Sequence, residues 1–268
     1  MKTFAQSLAG GIGALLLCTS STEAWSGGPV FNVTDIDAKC AVCHSSATRE
    51  QLRTEPTGVQ NFLVVENRHY KAVQDGTGAY ASMTPADRQK LLADIKAVDE
   101  AASVSISVPE NLKPGQEVQI TATVRGGNEI VGIALMDTDL RMQGRSIQSD
   151  GWLIVGAPKV WGSDGKEQTK WVDARAAGLR RNINSAVVFG DQKADVAAKR
   201  FAGGKAIWTV KAPQDPGTYT VTAAMFYGTE KASSLGGVTT PGGIQPRGGS
   251  FGNSGRIVFS KPVTVTVR

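Results

Sequence analysis

The chain has 268 residues, of which 41% are hydrophobic and 20% charged, with a formal net charge of +5. This length allows one large domain or two modest ones, and the composition is that of an ordinary globular protein. Its 31 glycines and 11 prolines disfavour a fold built from long helices, and the absence of an aromatic-basic recognition motif disfavours nucleic acid as a partner.

Residues 1–24 have the layout of a secretory signal peptide. Lys2 precedes an apolar run from residue 8 to 18, and small polar residues lead to a cleavage position after Ala24. The run is too short to span a membrane, although an uncleaved anchor is an alternative. Lipid attachment at Cys18 is disfavoured because Leu17 is not small. We therefore expect an exported protein, periplasmic or extracellular, with no transmembrane segment after cleavage.

Residues 25–101 carry helical signals. Thr34 and Asp37 form a capping-box pattern, and Thr84 is an N-cap candidate directly before Pro85 at the first helical position. The apolar residues that follow at helical spacing are Leu91, Leu92, Ile95 and Val98. The segment VQNFLVVENRHYKAVQ between the two caps predicts a third helix.

Residues 102–268 alternate apolar and polar positions with period two. The strand-like segments include SVSISVP, EVQITATVR, EIVGIALMD, GWLIVG, KAIWTVKAP, GTYTVTAAMFYG and GRIVFSKPVTVTVR. Their number and spacing predict a β-sandwich. Long loops are expected near 175–205, which is basic, and 236–255, which is rich in glycine. The predicted fold class is therefore α + β in two modules, a small helical domain followed by an all-β, immunoglobulin-like sandwich.

Charge is divided unevenly between these modules. Residues 25–100 carry 8 Lys and Arg against 10 Asp and Glu, and residues 101–268 carry 20 against 13. Ordinary surface charge for solubility explains this equally well. The alternative hypothesis is self-association, in which the acidic module of one copy contacts the basic module of another.

The pentapeptide CAVCH, residues 40–44, is the most specific motif in the chain. A zinc site needs more ligands than two cysteines and one histidine supply, and a thioredoxin-like pair needs a βαβ setting that is missing here. A disulfide explains the cysteines but not the histidine. Covalent haem explains all three, because both thiols reach the porphyrin vinyl groups and the histidine reaches the iron. One motif predicts one haem c.

With that motif, residues 33–100 resemble a class I c-type cytochrome domain. The resemblance implies that Cys40 and Cys43 hold the haem and that His44 is the proximal iron ligand. The family's methionine ligand is not at its usual position, because Met83 stands directly before the cap of the closing helix. His69, the second of only two histidines, is therefore the predicted sixth ligand, with Met83 as the alternative.

The strand segments around Trp208, Ala212, Pro213 and 217–221 resemble Reelin-type β-sandwich domains, or Reeler-like domains, which implies a binding or scaffolding role. The tryptophans are expected to serve packing more than a substrate platform. They are Trp152, Trp161, Trp171 and Trp208.

Support for a catalytic site is weak. No HExxH or P-loop occurs, and a Ser-His-Asp arrangement is excluded in residues 101–268 because they contain no histidine. Asp137 and Asp139 are calcium candidates, but an ordinary turn is the favoured interpretation. We expect no enzyme, but an electron carrier between redox partner proteins. The alternatives are a gas or redox sensor and, less favoured, a peroxidase, each of which needs an open iron site.

Overall fold

The computed structural model describes residues 56–127, 131–137, 146–168, 186–189, 194–230, 237–240, 243–246 and 255–268. Within these ranges, no helix combines the length and apolar character needed to cross a membrane.

Strands dominate the described residues. In chain order they are β1 (Ser103–Ser107), β2 (Asn111–Leu112), β3 (Glu117–Arg125), β4 (Val131–Met136), β5 (Leu153–Ile154), β6 (Lys159–Gly162), β7 (Ala186–Phe189), β8 (Gly203–Lys211), β9 (Gly217–Gly228), β10 (Gly237–Thr240), β11 (Gly243–Pro246), β12 (Gly255–Phe259) and β13 (Val263–Val267). One sheet has the order β1-β3-β8-β5, and β6 also pairs with β8. The second has the order β2-β13-β9-β4-β7, and β12 also pairs with β9. β10 and β11 form a separate hairpin.

The two sheets share one hydrophobic core, which makes the architecture a β-sandwich. Ile120 and Trp208 from the first sheet and Ile133 and Val221 from the second are fully buried in the same cluster. The alternating sequence of β3 explains how it contributes to this core. Every second residue from Ile120 to Val124 is buried, whereas Thr123, before Val124, is exposed. The sandwich predicted from period two is confirmed.

Short helical elements precede the strands. They are α1 (Thr57–Leu63), a π-helical turn (Glu66–Tyr70), α2 (Lys71–Asp75), a 3₁₀ turn (Gly78–Tyr80) and α3 (Pro85–Ala101); another 3₁₀ turn (Ile147–Asp150) lies between β4 and β5. The predicted start of α3 is confirmed, because the Thr84 hydroxyl accepts a hydrogen bond from the Asp87 amide at 3.2 Å. The single helix predicted for the preceding segment is instead divided into α1, the π turn and α2.

The predicted fold class, with an independent helical cytochrome module, is wrong. In the described part of the chain only α3 exceeds seven residues, and its apolar side is covered by protein. Leu91 and Ile95 pack on Val73 and Tyr80, while Val98 belongs to the core of the sandwich. The amphipathic pattern of α3 reports burial correctly, but a pattern does not identify what covers the buried side. The structure is mainly β, with a helical segment attached to the sandwich.

The segments predicted as long loops contain strands. β7 lies inside 175–205, and the hairpin β10–β11 lies inside 236–255. These strands have only four residues each and have glycine or proline at or next to their ends, which is a sequence pattern typical of loops.

Candidate functional site

His69 is fully buried where the helical segment meets the sandwich. The π-helical turn directs its ring toward the second sheet. Its Nε2 lies 2.8 Å from Oε1 of Glu230 and 2.9 Å from the hydroxyl of Tyr80. Its Nδ1 lies 2.8 Å from Nη2 of Arg256. Both ring nitrogens are therefore in contact with protein groups.

These partners define the tautomer of His69. A guanidinium nitrogen can only donate, so Nδ1 must accept the hydrogen bond from Arg256. The ring proton then lies on Nε2, where it faces the carboxylate of Glu230. His69 is accordingly a neutral imidazole that accepts from a cation on one side and donates to an anion on the other.

Glu230 follows β9 and has no exposed surface. In addition to the contact with His69, its carboxylate accepts hydrogen bonds from the hydroxyls of Tyr80 and Thr229. Burial acts to raise the pKa of Glu230, but the hydrogen bonds from His69, Thr229 and Tyr80 favour the ionised form and hold the pKa below its ordinary value. The carboxylate is therefore ionised at neutral pH although it is buried.

Arg256 of β12 is the buried cation of the site, with 4% of its surface exposed. Its Nε lies 3.0 Å from Oδ1 of Asp99 in α3, and its Nη2 lies 3.0 Å from Oδ2. The hydroxyls of Tyr70 and Tyr227 also donate to Asp99, at 2.7 and 2.9 Å. Burial and the neighbouring Asp99 carboxylate raise the pKa of both tyrosines, which keeps them neutral donors.

We name these eight side chains the junction cluster; they are His69, Tyr70, Tyr80, Asp99, Tyr227, Thr229, Glu230 and Arg256. The first four come from the helical segment, and the last four from β9, its end and β12. Among these eight side chains, with His69 neutral, one cation faces two carboxylates, and hydroxyl groups donate to both carboxylates. These contacts join the helical segment to the strands, so the cluster fixes the position of the helical segment on the sandwich.

The assignment of His69, or alternatively Met83, as the sixth iron ligand stays a prediction. Ligation by His69 would require the hydrogen bond to Arg256 or those of Nε2 to break. Met83, the alternative, is half-buried and packs against the cluster formed around Tyr80 and Leu91. Both side chains are therefore in contact with protein groups in the described residues.

The remaining predicted haem residues, Cys40, Cys43 and His44, lie outside the described residues, and their role stays a prediction. The signal peptide at residues 1–24 and the helix cap at Thr34 also lie outside them. The described residues contain no group of three or more His, Cys, Asp or Glu side chains placed to bind a metal ion.

The tryptophans differ in their environment. Trp208 and Trp152 are buried, and the expectation of core packing is confirmed for both; Trp152 also meets Tyr219 edge-on, with ring centroids 6.4 Å apart. Trp161 is only half-buried, and Nζ of Lys205 lies 4.9 Å from the centroid of its indole ring. Trp171 lies outside the described residues, as does Asp139, while Asp137 is buried at the end of β4.

Sequence reasoning missed Asp99, Glu230 and Arg256. Arg256 offered one signal, since it stands within the apolar strand sequence GRIVF. A charged residue in such a strand indicates a buried partner. No sequence pattern identifies that partner, because Asp99 is 157 positions away along the chain.

No family model matches the chain, and no curated protein matches it. Among solved structures, it is similar to a CARDB domain from Pyrococcus furiosus, with 10% identity, a TM-score of 0.24, and coverage of 63% of this chain and 90% of that one. A PapD-like domain of human CEP192 gives 10% identity, a TM-score of 0.25, and coverage of 63% and 87%. The C-terminal domain of the Streptococcus pyogenes antigen I/II-family protein AspA gives 12% identity, a TM-score of 0.28, and coverage of 62% of this chain and 46% of that one. Similarities at this level carry no argument about function.

The two resemblances drawn from the sequence are corrected accordingly. The class I cytochrome module is wrong, because α3 packs on the sandwich and on the short elements before it. The Reelin-type assignment is not upheld, because no family model matches. Only the coarser feature, a β-sandwich of two sheets, is present in the structure.

Proposed function

We propose that this protein is an exported β-sandwich that carries one covalently attached haem c and exchanges single electrons with partner proteins. The observation that carries the proposal is the CAVCH motif, in which Cys40 and Cys43 would hold the haem and His44 would bind the iron. When bound, the haem supplies a one-electron change between ferrous and ferric iron. We propose a carrier and not an enzyme.

The structure supports a scaffolding role for the sandwich in this function. The junction cluster ties the π-helical turn and α3 to β9 and β12 through the hydrogen bond from His69 to Glu230 and the ion pair between Asp99 and Arg256. The segment that follows the haem motif is thereby attached to the sandwich, and a fixed attachment favours reproducible docking of a redox partner. Association between copies through the acidic and basic parts of the chain belongs to the same proposal.

A second candidate function is favoured by one observation. Both ring nitrogens of His69 are engaged and Met83 is packed, so neither is poised to bind iron. An iron without a sixth protein ligand binds diatomic gases, and the protein would then be a haem-based gas or redox sensor.

Optical spectra of the purified protein, oxidised and reduced, with and without carbon monoxide, distinguish these functions. A c-type reduced spectrum that carbon monoxide leaves unchanged supports the electron carrier. A prompt shift on adding the gas supports the sensor. The absence of any haem absorbance after expression with a haem-attachment system would contradict both, and the Cys40→Ser, Cys43→Ser double variant provides the haem-free control.

A further inference from the structure

A hollow of about 570 Å³ lies on the outer face of the first sheet. Thr123 and Trp161 both pair with Lys205, in β3, β6 and β8, so their side chains form one row across three strands. Strand alternation directs this row outward, because the neighbouring residues Val124, Val160 and Ala206 are buried. Arg125, two positions after Thr123, projects from the same face next to the row.

Glycines form part of the lining of this hollow. They are Gly203 and Gly204 of β8, Gly162 at the end of β6 and Gly165 in the turn that follows. Phe201, half-buried, also lines it. The result is a depression bordered by the indole of Trp161, and its volume is in the range of small-molecule sites.

The charge of the lining is entirely positive. Arg125 and Lys205 are exposed, and the lining contains no acidic residue. The nearest carboxylate along the row is that of Glu167, which pairs with Trp161 outside the lining. Among the described residues, neither cation has a carboxylate within ion-pair distance. Asp164, in the adjacent turn, accepts a hydrogen bond from the amide of Lys166. Two exposed cations beside an aromatic ring attract an anionic group that also has an apolar face.

A second hollow in the described part of the chain, of about 540 Å³, lies beside α3 and differs in this respect. Its four charged residues are paired, Lys90 with Asp94 at 2.6 Å and Arg200 with Asp195 at 2.7 Å. The charges of its described lining residues are compensated, in contrast to those of the hollow at Trp161, where the two cations favour an anionic ligand.

We propose that the hollow at Trp161 binds a carboxylated saccharide, such as a uronate unit of an acidic polysaccharide. The carboxylate is bound by the planar guanidinium of Arg125, which suits two-oxygen recognition, and by Lys205. The exposed contact between Lys205 and Trp161 is weak enough to give way, so the sugar ring stacks on the indole. The hydroxyl of Thr123 is available for a hydrogen bond to a sugar hydroxyl. This inference is independent of the haem.

Binding of oligogalacturonate to the full-length protein, measured by calorimetry and by tryptophan fluorescence, tests the proposal. We expect saturable binding that weakens with salt, and no binding of maltohexaose, which is neutral. Arg125→Ala and Lys205→Ala should each weaken binding at least about tenfold. Trp161→Ala should abolish it, and Trp161→Phe, which retains a ring, should weaken it less.

Lys159→Ala is the matched control. Lys159 is exposed on the same face but does not line the hollow, so its loss should change the affinity less than about twofold. The Cys40→Ser, Cys43→Ser variant should bind as the unmodified protein does. Absence of binding to oligogalacturonate, equal losses in Lys159→Ala and Arg125→Ala, or equal affinity for polyglutamate would each overturn the proposal.

Discussion

Replacing Arg256 with methionine tests whether the junction cluster holds the helical segment on the sandwich. The change keeps an unbranched apolar stem but removes the donors to Asp99 and to Nδ1 of His69. Loss of one partner of a buried ion pair costs about 3–5 kcal/mol. Asp99 is 14% exposed at its side chain, so water can solvate it in part. We therefore expect the free energy of unfolding to fall by about 3 kcal/mol.

Arg200→Met is the matched control, because Arg200 forms an ion pair with Asp195 at a similar distance, 2.7 Å, but is 73% exposed. Its loss should cost less than about 1 kcal/mol. Urea unfolding followed by circular dichroism gives both values. An Asp99→Asn, Arg256→Met double variant should be less destabilised than the sum of its single changes. Equal stability losses in Arg256→Met and Arg200→Met would refute the structural role of the cluster.

Three further predictions follow from burial and local geometry. The pKa of Glu230 is lowered from its ordinary value of 4.5, so the stability that its ionised form contributes is present above pH 4.5 and is lost as the pH falls below that value. Urea unfolding at neutral pH and below pH 4.5 should therefore show a smaller loss of stability for Glu230→Gln than for wild type or the exposed Glu117→Gln. In the same assay, Trp208→Ala should lower the free energy of unfolding by about 3–5 kcal/mol because it leaves a cavity in the core. Trp161→Ala should lower it by less than about 1 kcal/mol. Thr84→Ala should lower the free energy of unfolding by about 1 kcal/mol because it removes the N-cap of α3. An unchanged unfolding midpoint would contradict a stabilising role for this cap.

The sequence predicted what depends on neighbouring residues. Period-two alternation located β3, β8 and β9, and the Thr84-Pro85 pair located the start of α3. These features are set by pleat geometry and by local hydrogen bonds, so a single segment contains the necessary information.

What the sequence could not predict depends on contacts between distant segments. The burial of His69 between Glu230 and Arg256 joins positions 161 and 187 residues apart. A lone histidine near a haem motif therefore suggested an iron ligand, when in the structure its ring is enclosed by a carboxylate and a guanidinium. The same limitation affected α3, whose apolar face faces the sandwich instead of a separate helical module.

The most direct test of the proposed function is the intact mass of the exported protein under denaturing conditions. The account predicts that the mass exceeds that of the polypeptide by one haem, and that the excess is absent from the Cys40→Ser, Cys43→Ser variant. A polypeptide without added mass, produced in a host that attaches haem to other proteins, would contradict the proposal that this protein carries a haem on CAVCH.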